Sequence, residues 1–189
     1  QHHTSLLQNI SLHMNAKDRI ALCGDNGCGK STLIKAILNN SEVIKTGHWM
    51  MPKPMNIGYL DQHYATLDPE KTVLDTLSLL VPYWPFIKVR KHLNDFLFRK
   101  NEEINVKTSQ LSGGEKVRLC LAQIAACPPQ LLILDEITNN LDLETKKHVI
   151  QVLQDYPGAM LLICHEDDFL NQLEITRCYH ILNNSLIQN

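Results

Sequence analysis

The sequence predicts an α/β fold: a mainly parallel core sheet with an antiparallel edge and an inserted helical lobe. Three observations carry that prediction. Residues 20–23, 131–134 and 159–164 are continuous apolar runs rather than alternating ones, as strands covered on both faces are. Segments with helical spacing of apolar residues separate them. Each run then stops at residues suited to binding: Gly24 after the first, Asp135-Glu136 after the second, His165 after the third. Open parallel sheets bind ligands outside the carboxyl ends of their strands.

Composition narrows the classes. The chain has 189 residues, 44% hydrophobic and 20% charged, enough to bury a core and too apolar for a disordered segment. Its net charge of −2 gives no general pull toward nucleic acid or an anionic membrane. The six cysteines (23, 28, 120, 127, 164, 178) show no metal-ligand spacing, and several lie in apolar runs as buried free thiols do. A reducing, cytoplasmic setting follows. No apolar run approaches the ~18 residues that a bilayer demands, and the start carries no signal-peptide pattern. The abrupt beginning reads as a fragment of something longer.

Residues 5–14 alternate roughly and predict an edge strand. Lys17-Asp18 reads as the turn into the first apolar run. Directly after that run stands Gly24-Asp25-Asn26-Gly27-Cys28-Gly29-Lys30-Ser31, a G-x-x-x-x-G-K-S phosphate loop. Glycines let the backbone close on an anion, and loop and helix N–H groups then point at phosphate oxygens. Lys30 supplies charge to the β- and γ-phosphates, and Ser31 offers a hydroxyl to Mg²⁺. Leu33, Ile34 and Ile37 predict the helix that follows, with its stop at Asn39-Asn40-Ser41.

Residues 42–58 read as short strands and turns, punctuated by Gly47, Pro52 and Pro54, and lead to a strand ending at Asp61-Gln62. Two helices are expected within 70–98, broken by Pro82 and Pro85. Between 88 and 107 six bases (Lys88, Arg90, Lys91, Arg99, Lys100 and Lys107) stand against three acids (Asp95, Glu102 and Glu103), which reads as a solvated face, with a modest basic face as the alternative. Next, Leu111-Ser112-Gly113-Gly114-Glu115 opens a helix running to about Cys127, with Ser112 and Glu115 spaced as a capping box. Two glycines in a first helical turn weaken it, which makes sense where a phosphate approaches the backbone. Asp135 ends the second buried run where phosphate-loop enzymes hold Mg²⁺, and Glu136 beside it can polarise water. A further helix is expected from Leu141 to about Asp155. His165 follows the third run as a candidate for the γ-phosphate. Asn183-Asn184 predicts a closing hairpin.

Together these motifs resemble the ATP-binding cassette (ABC) superfamily over nearly the whole chain. The resemblance makes 24–31 the Walker A motif, Gln62 the Q-loop, 111–115 the signature, 131–136 the Walker B motif, 139–142 the D-loop with Asp142, and His165 the switch histidine. It implies one ABC domain over 1–189, with a core of 1–64 and 113–189 and a helical lobe at about 65–112. Three stretches are similar to the ABC-F family in particular: 89–98, 111–118 and 134–142. Ile137 and Asn140 replace a proline and a histidine common in that family, and Cys164-His165-Glu166 replaces Ser-His-Asp. The short path from phosphate loop to Gln62 looks like a second cassette, or a member lacking the extra arm. Residues 1–23 hold no Phe, Tyr or Trp, and His2 and His3 read as terminal residues before base-stacking ones, so the adenine-stacking aromatic is expected ahead of Gln1.

The resemblance implies ATP and Mg²⁺ as cofactors. Gly24, Asn26, Gly27, Cys28, Gly29, Lys30, Ser31 and Thr32 would bind ATP, and Ser31, Gln62 and Asp135 would serve the metal. Glu136 would be the general base, with His165 and Gln62 completing the catalytic set. Ser112, Gly113, Gly114 and Glu115 would act on nucleotide held by a second cassette, tandem in the chain or in a homodimer. The implied function is ATP hydrolysis by a cytoplasmic protein acting on the ribosome and its RNA, in translation or antibiotic protection. The alternative is the motor subunit of a membrane transporter, for which residues 63–110 are a short lobe.

Overall fold

The computed structural model describes residues 6–61, 63–64, 66–138 and 141–188. Its strands are β1 (Arg19–Cys23), β2 (Ile57–Asp61), β3 (Leu131–Asp135), β4 (Ala159–Ile163), β5 (Arg177–Leu182) and β6 (Ser185–Gln188). Its helices are α1 (Lys30–Ile37), α2 (Val73–Leu80), α3 (Phe86–Asp95), α4 (Asn101–Ile104), α5 (Gly113–Ala126), α6 (Leu143–Gln154) and α7 (Asp167–Gln172). Among the described residues the strands form one sheet in the order β2-β3-β4-β1-β5-β6. The β1–β4, β3–β4 and β1–β5 pairs are parallel, and β5–β6 is an antiparallel edge. The predicted α/β class is therefore the observed one.

Register is what positions the chemistry. Ala21 sits opposite Leu162, and Asp135 opposite Ile163. The carboxyl ends of β1, β3 and β4 therefore reach the same edge of the sheet, one step short of Gly24, Glu136 and Cys164. Every residue of β4 is buried, as are Ile20, Ala21 and Leu22 of β1 and Leu131 to Leu134 of β3. Leu33, Ile34 and Ile37 of α1 join Ile20, Leu22, Ile133, Leu161 and Ile163 in one apolar cluster, which fixes α1 against the sheet. The β5–β6 hairpin turns through Asn183 and Asn184 at φ 48° and 64°, two left-handed residues of the type a tight right-twisted hairpin selects.

The chain divides into two compact units. One holds residues up to Tyr59 together with Pro129–Glu136 and Gly158 onward; the other holds Leu60–Pro128 and Ile137–Pro157. In the second unit α2 starts on a capping box between Thr72 and Asp75. Val73, Leu77, Val89, Leu93, Leu119, Leu121, Val149 and Leu153 fill its interior. His92 of α3 contacts the Ala122 carbonyl of α5 at 2.8 Å through Nε2.

Two expectations are corrected. Residues 6–14 form no strand: Asn9 takes φ 53° and interrupts the extended run. Leu7, Ile10, Leu12 and Met14 pack on the core all the same, so their alternation records packing rather than strand pairing. Residues 42–53 also form no strand. Pro52 and Pro54 lack N–H donors for a ladder, and a short 3₁₀ turn at Pro54–Asn56 leads into β2 instead.

The entry to β1 is held by a carboxylate. Asp18 accepts a 2.7 Å hydrogen bond from the Asn15 backbone N–H and pairs with Arg177 at the start of β5. The Asn15 N–H, followed by the Arg177 guanidinium, holds the Asp18 carboxyl below the usual carboxylate range. Asp18 therefore stabilises the fold above the unfolded carboxyl pKa of about 3.9, and that contribution fades as pH falls through the lower folded value. Asp18→Asn is expected to lower the urea midpoint at neutral pH and to narrow its gap from wild type in acid. A gap that stays constant with pH would contradict this account.

Candidate active site

The phosphate loop is shaped by backbone that only glycine adopts without strain. Gly24 has φ 141°, and a Cβ there would meet Cys28 Sγ at 2.7 Å and the Ile181 carbonyl oxygen at 3.3 Å. Gly29, at φ 116°, is the N-cap of α1, and no side chain caps that helix. The first-turn N–H groups of α1 thus remain available to an anion, with the helix dipole behind them. Ser31 and Thr32 stand in this turn. Lys30 is only 7% exposed, yet its ammonium stays inside the loop, donating to the Gly24 carbonyl at 2.6 Å and the Asp25 carbonyl at 3.1 Å. A buried ammonium at the mouth of a glycine loop has the charge and the donors that suit phosphate oxygens.

Asp135 ends β3, half-buried, with its Oδ2 accepting a 3.1 Å hydrogen bond from the Tyr59 hydroxyl of β2. Glu136 follows at φ 53°, while its backbone N–H donates to the Ile163 carbonyl at 2.9 Å. A non-glycine residue in this region is strained, and such strain gathers at functional positions. His165 Nε2 lies 3.6 Å from Glu136 Oε1, with the two side chains 54% and 31% exposed, so both reach solvent at the loop mouth. A cleft of about 520 Å³ opens there between Gly24-Asp25-Asn26 and His165. Gln62 lies outside the described residues, as do Asn139 and Asn140 of the stretch 139–142.

In the second unit Ser112 caps α5. Its Oγ accepts from the Glu115 N–H at 3.3 Å, and its own N–H donates to Glu115 Oε2 at 2.8 Å. Asp142 caps α6 by accepting from the Thr145 N–H at 2.9 Å. A Cβ on Gly114 would meet Thr145 Oγ1 at 3.3 Å and Asp142 Oδ2 at 3.5 Å, so this glycine lets α5 close on the cap of α6. Among the described residues a Cβ on Gly113 would meet only the Tyr64 hydroxyl, at 3.9 Å.

The family profile described as ABC transporter matches residues 7–139. The chain belongs to that family. The cassette is 39% identical over 179 residues to the ATP-binding protein Uup of Haemophilus influenzae, covering 93% of this chain and 27% of that protein. It is 38% identical to Uup of Escherichia coli, covering 92% and 28%. It is 34% identical to ABC transporter F family member 5 of Arabidopsis thaliana, covering 89% and 24%. It thus spans about a quarter of the length of these relatives. In fold it resembles the ATP-binding cassette MJ0796, described as a dimeric post-hydrolysis state bound to ADP and Pi. The TM-score is 0.74 at 20% identity, over 97% of this chain and 90% of that one. Among the described residues no helix of the cassette is long and apolar enough to cross a membrane.

Sequence reading missed two features of the site. Tyr59 carries no motif, and its contact with Asp135 follows only from the neighbouring positions of β2 and β3. The second is a group on β1 and β5: Cys23 and Cys178 Sγ lie 3.3 Å apart, and His180 Nε2 lies 3.6 Å from Cys178 Sγ. Burial, with Cys178 adding to it, pushes the Cys23 thiol up to about 12. No spacing rule finds these residues, because 155 positions separate the cysteines.

The loop geometry makes a direct prediction. Gly24→Ala, forced into strained backbone against Cys28, is expected to weaken binding of a fluorescent ATP analogue by roughly 5- to 100-fold, from a strain of about 1–3 kcal/mol. Unchanged affinity by titration would show that the loop accommodates a Cβ.

Proposed function

We propose that this chain is an ATP-hydrolysing cassette of ABC-F type, working with a second cassette on the ribosome in the cytoplasm. The observation that carries the activity is the shared edge of β1, β3 and β4, which presents the phosphate loop, Asp135, Glu136 and His165 together. Gly24, Asn26, Gly27, Cys28 and Gly29 wrap the phosphates with backbone N–H groups, Lys30 meets the β- and γ-phosphates, and Thr32 stands with Ser31 in the first turn of α1. Mg²⁺ suits the donor set: a serine hydroxyl at Ser31 and a carboxylate at Asp135 are hard oxygens, with Gln62 as a third donor. Bound there, the ion would neutralise charge between the phosphates. Glu136 takes the proton of the attacking water, and His165 holds the γ-phosphate side of that water's path. Ser112, Gly113, Gly114 and Glu115, with Asp142 at the neighbouring cap, serve the nucleotide of the second cassette.

The three ABC-F-like stretches and the relatives named Uup and F family member 5 support the ABC-F type, and the ribosomal role follows from the resemblance to that type. Lys30→Ala is expected to weaken ATP far more than adenosine, since only ATP offers phosphates to the lost charge; equal losses in a titration would make Lys30 a structural residue. In the full-length protein, Glu136→Gln should stop phosphate release yet hold ATP, and should therefore sediment with ribosomes. Sedimentation with the membrane fraction at high salt would overturn the ribosomal assignment and favour a transporter motor.

A further inference from the structure

Beside the phosphate loop, β1 and β5 bring together a group that the proposed ATPase chemistry does not use. Cys178 and His180 are two apart on β5 and so project from the same face of the sheet. The parallel register sets Cys23 of β1 directly opposite His180. The two sulfurs and the imidazole nitrogen of this trio all lie within 4.8 Å of one another, and all three residues are half-buried rather than sealed. Cys23 and His180 line the same cleft as Gly24 and His165, with Asp167 also on its wall.

We propose that Cys23, Cys178 and His180 form a binding site for a thiophilic divalent cation, Zn²⁺. The spacing is the argument. A tetrahedral zinc with Zn–S of about 2.3 Å and Zn–N of about 2.0–2.1 Å has S···S edges of about 3.8 Å and S···N edges of about 3.5–3.6 Å. The observed Cys178 Sγ···His180 Nε2 separation of 3.6 Å already matches one edge. The Cys23 Sγ···Cys178 Sγ separation of 3.3 Å has to open by only about half an ångström, a small side-chain adjustment. Two thiolates and an imidazole are the ligands a borderline-soft ion selects over Mg²⁺ or Ca²⁺. Each thiol gives its proton to solvent as its sulfur binds, so the bound unit is Zn²⁺ with two thiolates, a neutral imidazole and a fourth position facing the cleft. Three protein ligands with one open position is the arrangement of accessible rather than sealed zinc sites. Because Cys23 is bonded to Gly24, the ion would tie the root of the phosphate loop to β5.

The test uses Co²⁺ as a spectroscopic stand-in for Zn²⁺, added to the full chain kept reduced and free of nucleotide. One equivalent is expected to give a thiolate-to-metal charge-transfer band and the intense visible bands of tetrahedral cobalt, and one equivalent of Zn²⁺ should erase both. Cys23→Ser and Cys178→Ser should each reduce the charge-transfer band. His180→Gln should weaken the ion by more than the ~10–100-fold that loss of an outer partner costs. Cys127→Ser, at an exposed cysteine of the other unit, should leave spectrum and stoichiometry unchanged. The wild-type spectrum is decisive even if a variant fails to fold. A pale octahedral spectrum without a thiolate band would overturn the proposal, as would full bands in folded Cys23→Ser and Cys178→Ser.

Discussion

The parallel pairing of β4 with both β1 and β3 is the constraint on which the site depends. Antiparallel pairing would send the ends of these strands to opposite edges. Parallel pairing in this register delivers Gly24, Glu136 and His165 to one edge across only three adjacent strands. The sheet holds that register because its central strands are buried along their length. A one-residue slip would move a strand end by about 3.3 Å and take its residue out of line with the other two. The apolar runs that make the strands unambiguous in the sequence are therefore the same feature that makes the site rigid.

Around that edge the chain accepts local costs. Gly24 and Gly29 give up side chains so that the loop can close, Glu136 adopts left-handed backbone, and Lys30 is buried with the Gly24 and Asp25 carbonyls as acceptors. Each of these would be removed by selection for stability alone, and each becomes reasonable where phosphate groups enter. The second unit shows the same trade at Gly113 and Gly114. Helix propensity is given up in the first turn of α5, and a capping box between Ser112 and Glu115 recovers part of it.

Legibility in the sequence followed the range of the interaction. The central strands were legible because burial on both faces writes a continuous apolar run. Helices α1 and α5 were legible because glycines, caps and prolines mark their ends locally. The stretch 6–14 alternates yet forms no strand, because alternation reports which side chains are covered, not whether the backbone finds a partner strand. Tyr59 beside Asp135, and Cys23 beside Cys178 and His180, stayed invisible for a further reason. Their proximity is set by strand order, which brings residues 76 and 155 positions apart into contact. The α4 turn, four residues long, is too short to write a periodic pattern.

In the proposed mechanism the aligned strand ends make Glu136 and His165 act as one unit on the water and γ-phosphate, not as independent contributors. A double-mutant cycle on the ATPase rate of the full-length protein tests it most directly, comparing wild type, Glu136→Gln, His165→Ala and the double variant by phosphate release. Groups that act as a unit are strongly non-additive, so the double variant is predicted to be no slower than the slower single variant. If the two losses multiply instead, the residues contribute separately and the shared edge does not couple them.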